Sequence, residues 1–341
     1  MDALIAQFLN GLDKGAAYAL IALGLTLTFG TLGVVNFAHG ALFMLGAFCA
    51  VLTAKVLSLE SVTLDPTKLT PWGTPTEVRT TYAELYFGDF GVFITDYSIF
   101  IAVLVTIPIM LAIGFAMERG LIRYFYKRPH AEQILVTFGL AIVLSEIIKA
   151  WFGANPIPVS APDALQGSAD IGAFLGLDMF INYPIWRLVY FLASVIIIAA
   201  VFAFLNLTTY GMVVRAGMQD RDTVQLLGIN INRRFTLVFG IAAAVAGLAG
   251  ALYTPIVPPH YNLGMEFLVL SFVVVVVGGM GSLSGAVAAG FLLGIVQSFA
   301  SLAEVKAIVP GIDQIIIYLI AVVVLLTRPR GLLGRKGVME S

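Results

Sequence analysis

Charge is what this chain has least of. Only 11% of its 341 residues are Asp, Glu, Lys or Arg, against about 25% in a soluble domain. A water-soluble globule of this length is thereby excluded. Acids and bases nearly cancel, 20 against 19, and the bases make no extended basic face, so no nucleic-acid partner is expected. The one cysteine, Cys49, lies in an apolar run. It can form no intrachain disulfide and reads as a small buried hydrophobe. Histidine is scarce too: His39, His130 and His260 lie far apart, and no HExxH or paired-cysteine spacing occurs, so no zinc site is expected. No glycine cluster ends in Gly-Lys-Ser/Thr, so this chain is not expected to hydrolyse ATP itself. The opening MDALIAQFLNGLDKG lacks a basic stretch and a small-residue cleavage site, and the first apolar span is expected to be retained.

Apolar residues fill the space that charge leaves. They make up 60% of the chain, and mean hydropathy is +0.97. From Gly15 to Ala54 there is no Asp, Glu, Lys or Arg, and the single histidine is His39. As helix that run would extend roughly 60 Å, twice the hydrocarbon core of a bilayer. It must turn within the membrane region, and the turn is built from Gly33, Asn36, His39 and Gly40 rather than from a charged loop. Polar backbone at membrane depth is tolerated where it faces protein or a water-filled cavity. This is the mark of a transport pathway. The run 267–303 repeats the problem and turns at Gly278–Gly285, which includes Gly279, Gly281 and Ser282.

These patterns predict an all-α, polytopic transmembrane bundle in a single domain over 1–341. Nine spans are expected, with eight or ten as neighbouring counts, at 15–33, 37–55, 97–117, 134–151, 187–207, 235–257, 267–283, 285–303 and 309–327. The segments near 33–40 and 278–285 are read as broken or re-entrant. Their likeness is compatible with an inverted repeat, in which broken helices recur in the two halves.

Charge placement then orients the chain. Arg119, Arg123, Lys127 and Arg128 follow span three. Arg215, Arg221, Arg233 and Arg234 follow span five, and Arg328, Arg330, Arg335 and Lys336 follow the last. The loops between are acidic: 56–96 carries six acids against Lys68 and Arg79, and 152–184 carries three aspartates and no base. With nine spans the basic segments fall in the cytoplasm and the N-terminus falls outside. Loop 56–96 reads as an ordered periplasmic insertion, either a docking surface for a soluble partner or a decoration.

Among intramembrane polar residues, Asn36 and His39 can offer hydrogen bonds to a solute in transit or can cap the broken backbone. Gln297 is a further candidate. Glu146 and Lys149, three apart, read as an ion pair near a span end. Small residues at 242–251 and 285–294 read as helix-packing surfaces. The loop 208–234 holds a short helix, with Asp220 or Asp222 suited to its N-cap and Thr223–Leu227 as its body. Gly228 suits a left-handed position beyond its end, followed by the apolar Ile229. Val224 and Leu227 give it an apolar edge that calls for a partner surface.

At these residues a resemblance enters. The stretch YALIALGLTLTFGTLGVVNFAHGALFMLGAF, the loop RAGMQDRDTVQLLGININ, the run VVVGGMGSLSGAVAAG and the tail RPRGLLG together resemble the permease subunits of branched-chain amino acid ABC transporters, of the first of their two permease types. The long 56–96 insertion departs from that pattern. The resemblance implies a bacterial inner-membrane importer in which a second homologous permease, two cytoplasmic ATPase subunits holding ATP and Mg, and a periplasmic solute-binding protein accompany this chain. It implies that the loop helix couples to the ATPase, through Arg215, Asp220, Arg221, Asp222, Leu227, Gly228, Ile229 and Asn230. The expected pathway residues are Asn36, His39, Gly40, Gly279, Gly281, Ser282 and Gln297. No catalytic residue is expected. Urea, short-chain amides and other small organic solutes remain alternative cargoes, and an ion-coupled secondary transporter is the rival of a different class.

Overall fold

Helix forms almost everywhere that twenty or so apolar residues follow one another, because a backbone in hydrocarbon must satisfy its own hydrogen bonds. The computed structural model describes residues 2–34, 36–69, 73, 75–126, 128–174, 176, 181–219 and 221–334. Helix α1 (Asp2–Leu32) is followed by α2 (His39–Leu57). A hairpin of β1 (Glu60–Leu69) and β2 (Pro75–Thr81) then leads into the short helices α3 (Tyr82–Phe87) and α4 (Asp89–Asp96). Next come α5 (Ser98–Gly120), a 3-10 turn at Ile122–Phe125, and α6 (His130–Phe152). The segment after α6 carries a second small antiparallel pair, β3 (Ser168–Asp170) with β4 (Asn182–Pro184), enclosing α7 (Ile171–Phe174). It leads into α8 (Ile185–Leu207), then the short helices α9 (Thr209–Gln219) and α10 (Arg221–Leu226). The rest is α11 (Ile231–Tyr253), α12 (Leu263–Gly278), α13 (Leu283–Ala300), α14 (Ala303–Ile308) and α15 (Ile312–Thr327).

Each of the nine expected spans therefore has a helix. Seven are long and apolar enough to cross a bilayer by themselves, and α12 and α15, at 16 residues each, are shorter. The first span is longer than the sequence predicts, reaching back from residue 15 to Asp2 across Asp13 and Lys14. At the core, α1 packs along α13, and α11 packs on α5, α2 and α1. The small-residue surfaces do the packing: a Cβ on Gly294 would overlap the backbone of Gly15, and one on Gly46 would overlap Gly247. Lipid offers no hydrophobic drive for helix association, so close backbone approach supplies it through dispersion contacts.

The two ends of the bundle differ in charge. The 153–184 segment meets α4 and the 254–262 turn at one end, through hydrogen bonds from Asp163 N–H to Asp96 (2.9 Å) and from Ile157 N–H to the Pro259 carbonyl (3.0 Å). The Ile122 turn, α9, α10 and the 328–334 tail gather at the other end, with both breaks. There Val34 packs with Ile122, Val224 and Ile231. The tail docks on the end of α12, Leu332 N–H donating to the Val277 carbonyl at 2.8 Å and Leu333 N–H to Gly278 at 3.1 Å. The first may be called the acidic end and the second the basic end.

Two expectations change here. Both breaks lie at the basic end, close enough that a Cβ on Gly30 would sit 3.7 Å from Gly281. An inverted pair would lie at opposite ends, so these two breaks join hairpins of the same orientation. The loop 208–234 holds two helices rather than one, and Asp222 lies within α10 instead of capping it. Asp220 lies outside the described residues, as do Lys127, Arg335 and Lys336.

Candidate translocation pathway and coupling face

Between α1 and α2 the chain reverses in six residues, and Asn36 and His39 are both fully buried there. Asn36 Oδ1 accepts from Ala38 N–H at 3.0 Å, and the His39 N–H donates to the Asn36 carbonyl at 3.2 Å. Thr137 on α6 accepts from Phe37 N–H at 3.0 Å, tying the break to a second helix. The Asn36 oxygen thus ties down the turn before α2, whose N-cap position, Ala38, has no side-chain cap bond. Asn36 Nδ2 has no partner, and neither ring nitrogen of His39 completes a hydrogen bond. The ring lies against Gly24 on α1 and faces the Ile21 carbonyl. Gly40 brings α2 against the Gly264 backbone of α12.

Buried polar atoms without partners are rare in folded proteins, and each one asks for an explanation. Among the described residues they are Asp13 Oδ1, Thr26 Oγ1, Asn36 Nδ2, both His39 nitrogens and the hydroxyls of Tyr183 and Tyr190. They belong to α1 (Asp13, Thr26), to the break that follows it (Asn36), to the first residue of α2 (His39), to β4 (Tyr183) and to α8 (Tyr190).

The other pathway candidates sit differently. Gln297 Oε1 accepts from the Tyr18 hydroxyl at 2.6 Å, joining α13 to α1. Ser282 caps α13 by accepting from Gly285 N–H at 3.2 Å. Gly279 and Gly281 have φ of 105° and 83°, and a Cβ on Gly279 would meet the docked tail. The structure thus brings Asn36, His39 and Gly40 together, while Gly279 lies in the seat of the tail and Ser282 opens α13.

At the basic end, Gly228 takes φ +78° after α10, as its position demands. Val224 is buried against Val34 and Ile231, whereas Leu226 and Leu227 are 87% and 73% exposed. Asn230 caps α11, its Oδ1 accepting from Arg233 N–H at 3.1 Å. Arg215 donates to Asn206 at the end of α8. Side chains of Arg221 and Asp222 are not described. A cleft of about 610 Å³ opens beside this loop, lined by Arg119, Tyr210, Gly228, Ile229 and Arg233 among others. Behind it, buried Glu118 accepts from Arg123 at 2.8 and 3.0 Å and from the Tyr126 hydroxyl at 2.6 Å, and Arg123 donates to Thr236 of the lining at 2.7 Å. The bonds to Glu118 hold the Arg123 guanidinium above its ordinary pKa.

Sequence reasoning missed the charges at the far end of α1. Asp13, 3% exposed, lies 3.6 Å from Arg187 in the first turn of α8. The signals were present: an Asp-Lys pair abutting the first apolar run, and a lone arginine opening the fifth. Nearby Tyr183 is pushed up to about 12 by burial and stays a neutral donor. Glu146 and Lys149 form the expected pair at 3.4 Å, on an exposed face.

A bundle of long apolar helices, broken in two places and carrying unpaired polar atoms along one central helix, defines a polytopic helical membrane protein. The sequence profile of the branched-chain amino acid transport system permease component matches residues 7–325, and the chain belongs to that family. It is 28% identical to the high-affinity branched-chain amino acid transport system permease protein BraD of Pseudomonas aeruginosa, over 98% of this chain and 97% of that one. It is 27% identical to LivH of Escherichia coli K12, a permease protein of the same description, over 98% and 96%. A more distant likeness, 24% identity over 66% of this chain and 69% of the other, is to the ribose import permease protein RbsC of Haemophilus influenzae. No solved structure matches the chain.

Proposed function

We propose that this chain is one of a pair of homologous permease subunits in an ATP-driven importer of branched-chain amino acids. The observation that carries the reading is the family match over residues 7–325, with relatives aligned from end to end. A second permease, two cytoplasmic ATPases that hold ATP and Mg, and a periplasmic binding protein complete the assembly. The membrane is a bacterial inner membrane, crossed nine times, with the basic end in the cytoplasm.

The physical reading of the residues agrees with it. Helix α1 lines the route, and Asn36 and His39 offer their unpaired groups where the solute leaves it. Gly40 sets the spacing there, while Gln297 and the Gly279–Ser282 turn bound the same helix. Loop 208–234 couples to the ATPase: Leu227 presents an apolar edge, and Gly228, Ile229 and Asn230 fix how α10 meets α11. Arg215 and the 220–222 segment supply charge to that contact. Closure of the ATPase pair moves the loop and switches the opening of the route.

Co-expression with the accompanying subunits tests this. A cytoplasmic ATPase should co-purify, and proteoliposomes holding the complex should take up leucine only with ATP and the binding protein. Uptake driven by a proton or sodium gradient without ATP would sink the reading in favour of secondary transport.

A further inference from the structure

We propose that Asp13 and Arg187 form a site for the ammonium and carboxylate groups of an α-amino acid zwitterion, at the acidic end of the bundle. The proposal deepens the importer reading and rests on it for the choice of cargo. Its basis is the arrangement of charge and unpaired atoms. Burying two ions is costly, and a pair repays that cost only when geometry is good and the remaining lone pairs are satisfied. Neither condition holds here. Arg187 Nη1 lies 3.6 Å from Asp13 Oδ2, and the same nitrogen donates to Asn10 Oδ1 at 2.9 Å. Asp13 Oδ1 has no partner; the Tyr183 hydroxyl's neighbour is Arg187 and the Tyr190 hydroxyl's is Ser194. Both tyrosines and Tyr253 lie within reach of the Asp13 charge.

A structural ion pair this deep would be expected to use both carboxylate oxygens. This one keeps Asp13 Oδ1 in reserve, with the Tyr183 hydroxyl beside the guanidinium, an inventory that a bound ammonium and carboxylate would complete. Tyr253, within reach of the Asp13 charge, packs 5.4 Å from Phe267 and 6.2 Å from Phe43, and Tyr18 lies 6.4 Å from Phe267, between ring centroids. These rings form one buried cluster, and its opening on binding would give a branched aliphatic group an apolar wall. Arg187 is 34% exposed while Asp13 is 3% exposed, so a zwitterion arriving at the acidic end meets the guanidinium first. Its ammonium then displaces Arg187 from Asp13, and the two charges of the cargo replace the protein's own pair.

Trp186 adjoins Arg187 and is buried, its Nε1 donating to the Leu252 carbonyl at 3.2 Å. It is a local reporter once Trp72→Phe and Trp151→Phe remove the other two tryptophans. In the purified full-length complex without binding protein, leucine should shift Trp186 emission saturably. The analogues 3-methylbutylamine and 4-methylpentanoate, each lacking one charge, should need at least about tenfold more. Asp13→Asn and Arg187→Gln should abolish the shift, with Asp13→Glu retaining a weakened one. Equal response to either analogue, no response to leucine, or an unchanged titration in both variants would overturn the proposal. The comparison of analogues on the unaltered pair stands even if a variant misfolds. Leucine uptake driven by ATP but indifferent to these variants would leave the importer and remove the site. A saturable shift without ATP-driven uptake would do the reverse.

Discussion

Asn36 carries two groups with separate duties, and a single substitution series can part them. Its oxygen ties down the turn before α2, while its Nδ2 has no partner. Asn36→Ser keeps an oxygen within reach of that turn and removes the amide donor. We expect it to express and melt like the wild type while lowering transport about tenfold, the effect of one lost hydrogen bond of roughly 1.4 kcal/mol. Asn36→Leu should lose that tie as well and fall in both thermal stability and uptake. Wild-type uptake in Asn36→Ser would assign the residue to the backbone alone. Packing is tested at Gly294, where any side chain meets the Gly15 backbone. Gly294→Val forces α1 and α13 apart, and overpacking of this kind costs about 1–3 kcal/mol. The expected result is lower yield and an earlier melting transition in detergent, with Gly294→Ala intermediate.

At the scale of elements, the loop between α8 and α11 makes the sharpest prediction. Gly228→Val places a β-branched residue in the left-handed region at a cost of about 1–2 kcal/mol. A helix as short as α10, Arg221–Leu226, has little stability of its own, whereas the bundle loses a small fraction of its packing. The complex should insert and assemble normally yet lose substrate-stimulated ATP turnover. Full stimulation and full uptake would show that coupling lies elsewhere.

Elements also show what the sequence could and could not convey. Apolar runs located the helix of every span, because bilayer thickness and backbone satisfaction leave few choices. The start of α1 was hidden, since Asp13 and Lys14 look like the end of an apolar run. The helix continues through them with Arg187 beside Asp13, and a neighbour so distant in sequence leaves no local sign. Gly228 was legible because a left-handed turn has one cheap residue. The partition of 208–234 into α9 and α10 was not, because the apolar anchors of that loop, Val213, Val224 and Ile229, are set by Val34 and Phe235 across the fold. The docking of the tail on Gly279 was not legible either, because the Arg330 and Gly334 backbone that meets it is distant in sequence.

For the whole molecule, the separation of charge between the two ends makes a topological claim. Reporter fusions after Gly73, in the acidic-end hairpin, and after Gly334, in the docked tail, should report opposite sides of the membrane. Both on one side would overturn nine crossings, as would a cytoplasmic N-terminus. The tail fusion should keep residues 328–334 intact, because Leu332 and Leu333 satisfy carbonyls at the end of α12.

Helix α1 runs unbroken for 31 residues, about 46 Å at the rise of an α-helix. Near its basic end Gly30 lies against Met218 of α9, a flexible thioether on the loop proposed to couple to the ATPase; further along the same rod stands Asp13. The helix is therefore a lever with one arm at each business end. Asp13 stands about 26 Å along the helix from Gly30, so pivoting the rod by about 5° about its basic end moves Asp13 by roughly 2 Å, enough to loosen an ion pair. Motion begun at the loop would arrive at Asp13 in the same stroke, with no relay of side chains between them. Spin labels placed near Phe8 and Met218 should thus move together through the nucleotide cycle, and independent movement would mean that the rod bends.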